Sequence, residues 1–516
     1  MTGGVHGHRT RRIVLVVVLV VVAAAVGGVA LYASTSEDTG GTAAAGAAAT
    51  PHPSSTAMPT AATSTSVTST NAASSPARAP ASAPLAVPAL WQHAPSPAAS
   101  VLLPLSVDAA NDPTTAGLTA KLAPLLADHA FTGDEVAMMV ADAATGRVLF
   151  GQDSADLMPP ASTAKLAVAV AALQVLGPGA RLTTRVVQGS KPSQVVLIGG
   201  GDPTLSGPAA VGPLSPGYPA PASLTTLAGQ TAAQLQARGI TAVSLGYDAS
   251  LFVGATLAPG WKPIYQTEGD VAPVSALEVD EGHPDPGRTA TAADPAAAAA
   301  GEFAALLASD GIAVTGKPAL IHASPAKPTL ASVASRPMSQ LVQGMLGRSD
   351  NDLAEALSRQ VAIATGHPAS FAGGVAAVKA AIAGLGVDPS GLATVDASGL
   401  SPLDRVRPAA LLALLRLAIG PGHPRLTPIL AGLPVAGFSG TLSDRFGGQA
   451  VAGAGLIRAK TGTLDGVVAL AGYLQDSSGA TLVFATIVAG VAKTATAGAQ
   501  AAVDRLTASL PVCGCR

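Results

Sequence analysis

The spacing of apolar residues along the chain changes from a period of two to helical spacing and back again. Residues 136–140 and 147–150 are short apolar runs on either side of a glycine-containing turn, which predicts a β-hairpin. β-Branched runs return near the C-terminus and predict strands at 457–461, 467–475 and 480–488. Because strands occur at both ends with helices between them, the pattern predicts one antiparallel sheet built from both ends of the chain.

The middle of the chain is mainly helical by the same criterion. Apolar spacing predicts a helix that begins at Ser162 and ends before Gly177, and capping residues predict another that begins after Asp294. Residues 324–337 are rich in proline and serine and predict a connector without regular structure. The remaining predicted elements are helices at 118–129, 224–239, 338–346, 351–365, 373–385, 408–418 and 494–510, and strands at 195–198 and 242–247.

Composition excludes several classes of function. The 516 residues include 12% charged residues and give a net charge of -2, so the chain lacks the basic surface of nucleic-acid-binding proteins. No nucleic-acid partner is therefore expected. The two cysteines, Cys513 and Cys515, are too few for a disulfide-stapled fold or a four-ligand zinc site. We expect neither a metal nor a cofactor.

An uncharged run of 21 residues, 13–33, follows Arg9, Arg11 and Arg12. It is long enough to cross a bilayer as a helix, and the arginines favour a cytoplasmic N-terminus, so the rest of the chain is expected outside the cell membrane. A cleaved signal peptide is the alternative, because Gly28-Val29-Ala30 offers a small-x-small cleavage site. Both interpretations predict an exported protein, held by a single membrane span or released into the cell envelope.

The composition after residue 33 is dominated by alanine, serine, threonine and proline as far as about residue 105. Such a segment buries too little apolar surface to offset its ordering entropy. It predicts a disordered spacer that holds the folded part away from the membrane.

Ser162 and Lys165 stand three residues apart at the start of a predicted helix. This spacing places the hydroxyl and the amine on one face, so the amine could take the proton of a serine nucleophile. The motif alone has low specificity, because a second Ser-x-x-Lys occurs at Ser324 and Lys327. That pair lies among prolines with no helix after it, which leaves Ser162 as the candidate nucleophile.

Two further motifs follow Ser162 in the sequence. Ser349-Asp350-Asn351 lies at a turn that opens a helix, where serine and asparagine favour the cap. Lys460-Thr461-Gly462-Thr463 lies on a predicted strand. Side chains alternate between the two faces of a strand, so Lys460 and Gly462 share one face and the two threonines share the other. Each motif alone is also typical of an ordinary helix cap or edge strand. The three together, in this order, predict a catalytic pocket.

With these motifs the chain resembles the penicillin-recognising serine enzymes, which comprise D,D-peptidases and serine β-lactamases. The long interval between the first two motifs, together with residues 199–205, 396–401 and 439–442, is similar to D-alanyl-D-alanine carboxypeptidases/endopeptidases of the penicillin-binding protein 4 type, peptidase family S13. The resemblance implies an α+β fold of the β-lactamase/DD-peptidase type, an antiparallel sheet with helices on both faces and an inserted accessory domain. The anchor or signal peptide (1–33, with its cytoplasmic tip) and the spacer (34–105) lie outside the resemblance. For the rest of the chain we expect a catalytic domain in two parts (106–185 and 335–516) and the insert (186–334).

The resemblance also implies a reaction. Ser162 would attack the bond between the terminal D-alanines of peptidoglycan stem peptides, and cross-links as well, to form an acyl-enzyme. Lys165 is implied as the base, Ser349 as the proton relay and Asn351 as the group that holds the substrate amide. Lys165 can act as a base only when neutral, which burial and the nearby charge of Lys460 would favour.

The third motif is implied to bind substrate. Lys460, Thr461, Gly462 and Thr463 would receive its terminal carboxylate, and the backbone N–H groups of Ser162 and Thr463 would hold the oxyanion. β-Lactam antibiotics, which are similar to the dipeptide, are expected to acylate the same serine.

Three alternatives remain at this level. A serine β-lactamase shares the motifs but needs a carboxylate-activated water, and Glu268, Glu278 and Glu281 precede the second motif, which is the wrong place. A non-catalytic wall-binding scaffold would not require all motif residues to be intact. A lipase-type esterase is disfavoured because the sequence contains no Gly-x-Ser-x-Gly.

Overall fold

The structure is a computed structural model that describes residues 113–208, 221–283, 289–324 and 326–515. The predicted membrane segment 13–33 and spacer 34–105 lie outside the described residues. Among the helices of the described residues, none combines the length and the apolar character that a bilayer span requires.

The described chain alternates helices and strands from residue 115 to residue 508. The helices are α1 (Thr115–Leu126), α2 (Lys165–Val175), α3 (Leu224–Gln236), α4 (Ile264–Thr267), α5 (Pro295–Ser309), α6 (Met338–Arg348), α7 (Asn351–Ala364), α8 (Phe371–Ala383), α9 (Pro408–Ile419), α10 (Pro428–Gly432) and α11 (Thr496–Ala508). The strands are β1 (Glu135–Asp142), β2 (Val148–Gln152), β3 (Thr183–Gln188), β4 (Gln194–Ile198), β5 (Ala242–Asp248), β6 (Ala313–Val314), β7 (Ala319–Leu320), β8 (Thr329–Ala334), β9 (Leu392–Ala393), β10 (Arg405–Val406), β11 (Ile457–Leu464), β12 (Val467–Gln475) and β13 (Thr481–Ala489).

Strands from both ends of the chain form one five-stranded antiparallel sheet in the order β11-β12-β13-β1-β2. β1 pairs with β13 in a register that sets Glu135 opposite Ala489 and Asp142 opposite Leu482. The predicted sheet from both chain ends is confirmed. β11 lies at one edge of this sheet, where the turn before α2 packs against it.

Helices cover both faces of the sheet. Along β13, Val483, Ala485 and Ile487 point into a core that includes α2, α6, α7, α8 and α9, whereas Leu482 and Phe484 point into a core with α1 and α11. This alternation follows from the period of two along a strand. A sheet enclosed by helices on both sides confirms the predicted α+β class.

α2 lies at the centre of the first of these cores. Its nine residues from Lys165 to Leu173 are all buried, as expected for a helix that is apolar on every side. Lys165 is the one charged residue among these nine, and its side chain has no exposed surface. The position of the helix therefore removes the amine of Lys165 from solvent.

A second sheet is formed by strands between residues 183 and 334, in the order β6-β5-β4-β3-β8 with β7 beside β5. α3 and α5 supply its core. Asp294 caps α5 as predicted, because its carboxylate accepts a hydrogen bond from the Ala297 N–H at 3.0 Å. This sheet lies within the part of the chain predicted as an insert, and the exact domain boundaries remain a prediction.

The sequence pattern does not predict four strands of the second sheet: β3, β8 and the two-residue strands β6 and β7. The connector predicted at 324–337 is wrong, because Thr329–Ala334 pairs antiparallel with β3. Only Leu330 and Ala331 of this strand are buried, and Pro328 and Pro337 stand near its ends. Small side chains and neighbouring prolines give it a weak strand pattern, and pairing within the sheet decides its conformation.

Candidate active site

Ser162 lies on a short 3₁₀ turn, Ala161–Ala164, that leads directly into α2. Residues three apart nearly eclipse one another in this tighter helix, and Lys165 Nζ lies 2.9 Å from Ser162 Oγ. The Thr163 hydroxyl holds the turn by donating to the Pro160 carbonyl at 2.7 Å. Ala161 enters the turn at a φ of 46°, which is unfavourable for a residue with a Cβ atom and is typical of strained functional sites.

Three oxygen atoms surround the Lys165 amine. Nζ lies 2.9 Å from Ser162 Oγ, 2.6 Å from Asn351 Oδ1 and 2.6 Å from the Ser398 carbonyl oxygen. The amide and carbonyl oxygens can only accept hydrogen bonds, so they engage the two N–H groups of a neutral amine. The lone pair of that amine then faces the Ser162 hydroxyl, which is the arrangement that a general base requires.

The second motif lies between α6 and α7. Ser349 ends α6 with a left-handed φ of 64°, and Asp350 caps α7, because its carboxylate accepts from the Leu353 N–H at 2.8 Å. The N-cap of α7 is therefore Asp350, and the alternative of an ordinary helix cap made by Ser349 and Asn351 does not hold. Because Asp350 satisfies the helix end, both side chains are free to contact the lysines, and Ser349 Oγ accepts from Lys460 Nζ at 2.8 Å.

The third motif lies on the edge strand β11. Lys460 has no exposed surface. Its Nζ atom donates to the Thr461 carbonyl at 2.8 Å, in addition to its contact with Ser349. On the opposite face, the Thr461 hydroxyl lies 2.7 Å from the Thr441 hydroxyl, and Thr463 Oγ1 accepts from Gln500 Nε2 at 3.1 Å. These contacts follow the predicted alternation along the strand, and the burial of Lys460 argues against an ordinary exposed edge lysine.

Two glycines allow backbone segments to approach the Ser162 turn. A Cβ atom at Gly462 would lie 2.7 Å from the Pro160 carbonyl oxygen, and one at Gly399 would overlap the Ala161 carbonyl. Gly399 also has a φ of +82°, which favours glycine. β11 and the loop around Gly399 therefore pack closely against the backbone of the turn.

Burial lowers the pKa of both lysines. Desolvation lowers the pKa of Lys165 from 10.5 to about 8, which brings the neutral amine within reach of physiological pH. Four carboxylates act in the opposite direction on this pKa, those of Asp396, Asp350, Glu355 and Asp352. The pKa of Lys460 is also lowered, first by burial and then by the charge of Lys165. Burial therefore lowers the pKa of Lys165 as expected, whereas repulsion between the two amines lowers the pKa of Lys460 and is not among the main causes at Lys165.

Several groups of the site are not among the predicted site residues, although residues 396–401 contribute to the family resemblance. The Ser398 carbonyl is a backbone atom, which no pattern of side chains can indicate. Its loop is held by Glu355, whose Oε1 atom accepts from the N–H groups of Ala397 and Ser398 at 2.9 Å each. Glu355 follows Asn351 by four residues on α7, and this helical spacing is the one signal that could have identified it.

Asp396 supports the same loop from its other side. Its Oδ1 atom accepts from the Gly399 N–H at 2.7 Å, and Oδ2 accepts from the Ser401 N–H at 2.8 Å. The side chain is 1% exposed. Two buried carboxylates, one on α7 and one in the loop, thus fix the carbonyl that contacts the Lys165 amine.

Comparison with known proteins gives consistent matches over the folded part of the chain. The profile of the D-Ala-D-Ala carboxypeptidase 3 (S13) family matches residues 118–291 and 284–510. The carboxypeptidase Rv3627c of Mycobacterium tuberculosis is 39% identical over 415 residues, which cover 79% of this chain and 86% of that protein. The carboxypeptidase DacB of Mycolicibacterium smegmatis is 38% identical over 433 residues, which cover 82% and 90% of the two chains.

The fold also has a solved counterpart. The crystal structure of penicillin binding protein 4 from Haemophilus influenzae superposes with a TM-score of 0.62 at 22% sequence identity, and the match covers 76% of this chain and 97% of that one. This similarity supports the β-lactamase/DD-peptidase type of fold. The two mycobacterial relatives and the family profile carry the assignment further, and the chain belongs to the D-Ala-D-Ala carboxypeptidase family S13 of serine hydrolases.

Proposed function

We propose that this chain hydrolyses the bond between the two terminal D-alanines of peptidoglycan stem peptides through an acyl-enzyme on Ser162. The observation that carries the proposal is the orientation of the Lys165 amine. Two acceptors, Asn351 Oδ1 and the Ser398 carbonyl oxygen, lie 2.6 Å from its nitrogen, and Ser162 Oγ lies 2.9 Å away. A neutral amine that donates to both acceptors directs its lone pair toward Ser162 Oγ. With a pKa of about 8, roughly one Lys165 in ten is neutral at pH 7.

Acylation begins when Lys165 Nζ takes the Ser162 proton and Oγ attacks the carbonyl carbon of the penultimate D-alanine. The C–N bond then breaks, and the leaving amine needs a proton. Ser349 is suited to relay to it the proton that Lys165 took from Ser162, which returns Lys165 to its neutral form, and Lys460 Nζ holds the Ser349 hydroxyl in place at 2.8 Å. Free D-alanine departs, and a water molecule hydrolyses the ester with Lys165 again acting as base.

Charge on the substrate and on the oxyanion requires separate partners. The backbone N–H groups of Ser162 and Thr463 are assigned to the oxyanion, since the Ser162 turn packs against the edge strand β11. Lys460, Thr461 and Thr463 are assigned to the terminal carboxylate, because an ammonium and hydroxyl groups match a full negative charge. Asn351 is assigned to the substrate amide in addition to its contact with Lys165.

The nucleophile can be tested directly with a fluorescent penicillin. Ser162→Ala should abolish covalent labelling while the far-UV circular dichroism spectrum and the melting temperature stay close to those of the wild type. The chain offers a matched control, because Ser324 belongs to the second Ser-x-x-Lys pair, and Ser324→Ala should be labelled like the wild type. Labelling of Ser162→Ala at the wild-type rate contradicts the assignment.

The same site should distinguish a peptidase from a lactamase. A solved structure of the Haemophilus influenzae penicillin binding protein 4 contains a β-lactam, which supports β-lactam binding by this chain. We expect a near-stoichiometric reaction with a chromogenic cephalosporin and repeated release of D-alanine from a pentapeptide. Many cephalosporin turnovers per enzyme, without D-alanine release, would favour the β-lactamase alternative.

We extend the proposal to cross-linked peptides and to the location of the enzyme. Incubation with defined monomeric and cross-linked muropeptides measures the ratio of carboxypeptidase to endopeptidase activity. The uncharged run 13–33 after three arginines supports attachment to the cell membrane with an extracytoplasmic catalytic domain. Recovery of the full-length chain in the membrane fraction, compared with a variant that lacks residues 1–33, tests the attachment.

A further inference from the structure

The two oxygen atoms that orient the Lys165 amine both depend on a distant part of the chain, residues 261–272, which we term the 261–272 segment. Asn351 is the first of the two. Its Nδ2 atom donates to the Asp270 carbonyl at 2.7 Å, while its Oδ1 atom faces Lys165 Nζ at 2.6 Å. A carbonyl can only accept, so Asp270 selects the orientation of the amide. A flipped amide would present N–H groups to the amine and would compete with Ser162 for its lone pair.

The Ser398 carbonyl is the second oxygen atom. It belongs to the loop that Asp396 supports through two backbone N–H groups. The indole Nε1 of Trp261 donates to the same carboxylate, at 2.8 Å from Asp396 Oδ2. Trp261 also packs edge to face on Phe371, with ring centroids 5.4 Å apart, so the indole is held in place.

The 261–272 segment has a further anchor at its other end. The Ala272 N–H donates to Asp352 Oδ1 at 2.8 Å, and this contact is buried. Asp352 directly follows Asn351 at the start of α7. The segment is thus fixed to the helix that carries the second motif and to the loop that carries Ser398.

We propose that the 261–272 segment is a positioning element for the catalytic base, with Trp261 acting through Asp396 and the Asp270 carbonyl acting through Asn351. Neither group touches the reacting atoms. Together they determine which two acceptors the Lys165 amine meets, and thereby the direction of its lone pair. The inference rests on the proposed function, since it concerns the base for Ser162.

The charged groups around Lys165 make this role measurable. The carboxylates of Asp396, Asp350, Glu355 and Asp352 favour its ammonium form, and Lys460 is the neighbouring cation. Removing the charge of Asp396 should therefore shift the midpoint of the pH–rate profile for acylation to lower pH. Removing the Trp261 hydrogen bond to Asp396 changes no charge, so it should lower the limiting acylation rate and leave the pH midpoint in place.

The test measures the rate constant for acylation by a fluorescent penicillin from pH 5.5 to 9.5, normalised to the fraction of enzyme that is labelled at completion. Trp261→Phe keeps the aromatic contact and removes the donor, and it should lower the limiting rate about tenfold. Asp396→Asn should lower both the limiting rate and the pH midpoint. Thr267→Ala is the matched control, because within the part of the chain that the structure describes this exposed hydroxyl bonds only to the Ile264 carbonyl of its own turn.

A merely structural role reduces the labelled fraction but leaves the normalised rate constant and its pH midpoint unchanged. The proposal is overturned if the limiting acylation rate of Trp261→Phe stays within twofold of the wild-type rate. It is also overturned if Thr267→Ala lowers this rate as much as Trp261→Phe does. Failure of the wild-type enzyme to be labelled at all would count against the proposed function and not against this role of the segment.

Discussion

Lys165 Nζ and Asn351 Oδ1 lie 2.6 Å apart although 186 residues separate them in the sequence. The contact joins the central helix α2 to the first residue of α7. It places an uncharged acceptor next to the amine, so the amine can exist in its neutral form without leaving a buried carboxylate unpaired. The choice of asparagine at this position therefore has a predictable consequence for pH dependence.

Asn351→Asp should shift acylation to higher pH. A carboxylate in contact with the amine favours the ammonium form and raises the pKa of Lys165, so the neutral fraction at pH 7 falls. The expected rate at pH 7 is at least about tenfold lower and recovers in part at alkaline pH. Asn351→Ala serves as the control, since it removes the acceptor without adding charge and should lower the rate without moving the midpoint upward.

The wild-type enzyme should show a basic limb in its acylation rate. Because the pKa of Lys165 is lowered to about 8 and the neutral form is the base, the rate should rise with pH through this value and then level off. Below the midpoint the slope should approach about tenfold per pH unit. Stopped-flow acylation by a penicillin measures the profile, and a rate that is constant between pH 6 and 9 would exclude Lys165 as the titrating base.

Gly399→Ala should damage both stability and activity, because an added Cβ overlaps the Ala161 carbonyl at the nucleophile turn. Gly386 has the same φ of +82° and no neighbouring atom within 4 Å of an added Cβ, so Gly386→Ala isolates the cost of the backbone conformation. We expect about 1 kcal/mol of destabilisation for Gly386→Ala and about 3 kcal/mol for Gly399→Ala. Equal urea denaturation midpoints for the two variants would contradict close packing at Gly399.

Glu355 and Arg359 form a buried ion pair at 3.1 Å, with side chains 0% and 1% exposed. Arg359→Met leaves the carboxylate without its partner and should cost about 3–5 kcal/mol. Adding Glu355→Gln to this variant should cost less than in the wild type, with a coupling of about 1–3 kcal/mol from a double-mutant cycle in urea. Strict additivity of the two changes would indicate that the ion pair contributes no coupling.

The sequence predicts well what is encoded locally. Helical spacing locates Ser162 and Lys165, and β-branched runs locate β12 and β13 with boundaries close to those in the structure. The order of the three motifs then predicts the pocket. These features depend on residues that are neighbours along the chain or that belong to one repeating pattern.

Contacts through backbone atoms could not be predicted in the same way. The Ser398 and Asp270 carbonyls are acceptors whatever side chains they carry, so their roles follow only from the fold. Asp350 takes the cap of α7 because its carboxylate reaches the Leu353 N–H, a choice among three adjacent polar residues that propensity does not resolve. The short strand β8 escapes prediction for a similar reason, since its partner strand supplies the stabilisation.

The pairing of β1 with β13 has a consequence for the order of events during synthesis. β1 and β2 leave the ribosome early, and the strand that pairs with the other edge of β1 is among the last elements to be made. Until then an apolar strand edge has no partner, which exposes the nascent chain to aggregation and to chaperones. Lys460, on β11, is also synthesised near the end of the chain. A truncated or stalled chain therefore carries Ser162 without a complete pocket, and reaction with penicillin reports that the whole domain has finished folding.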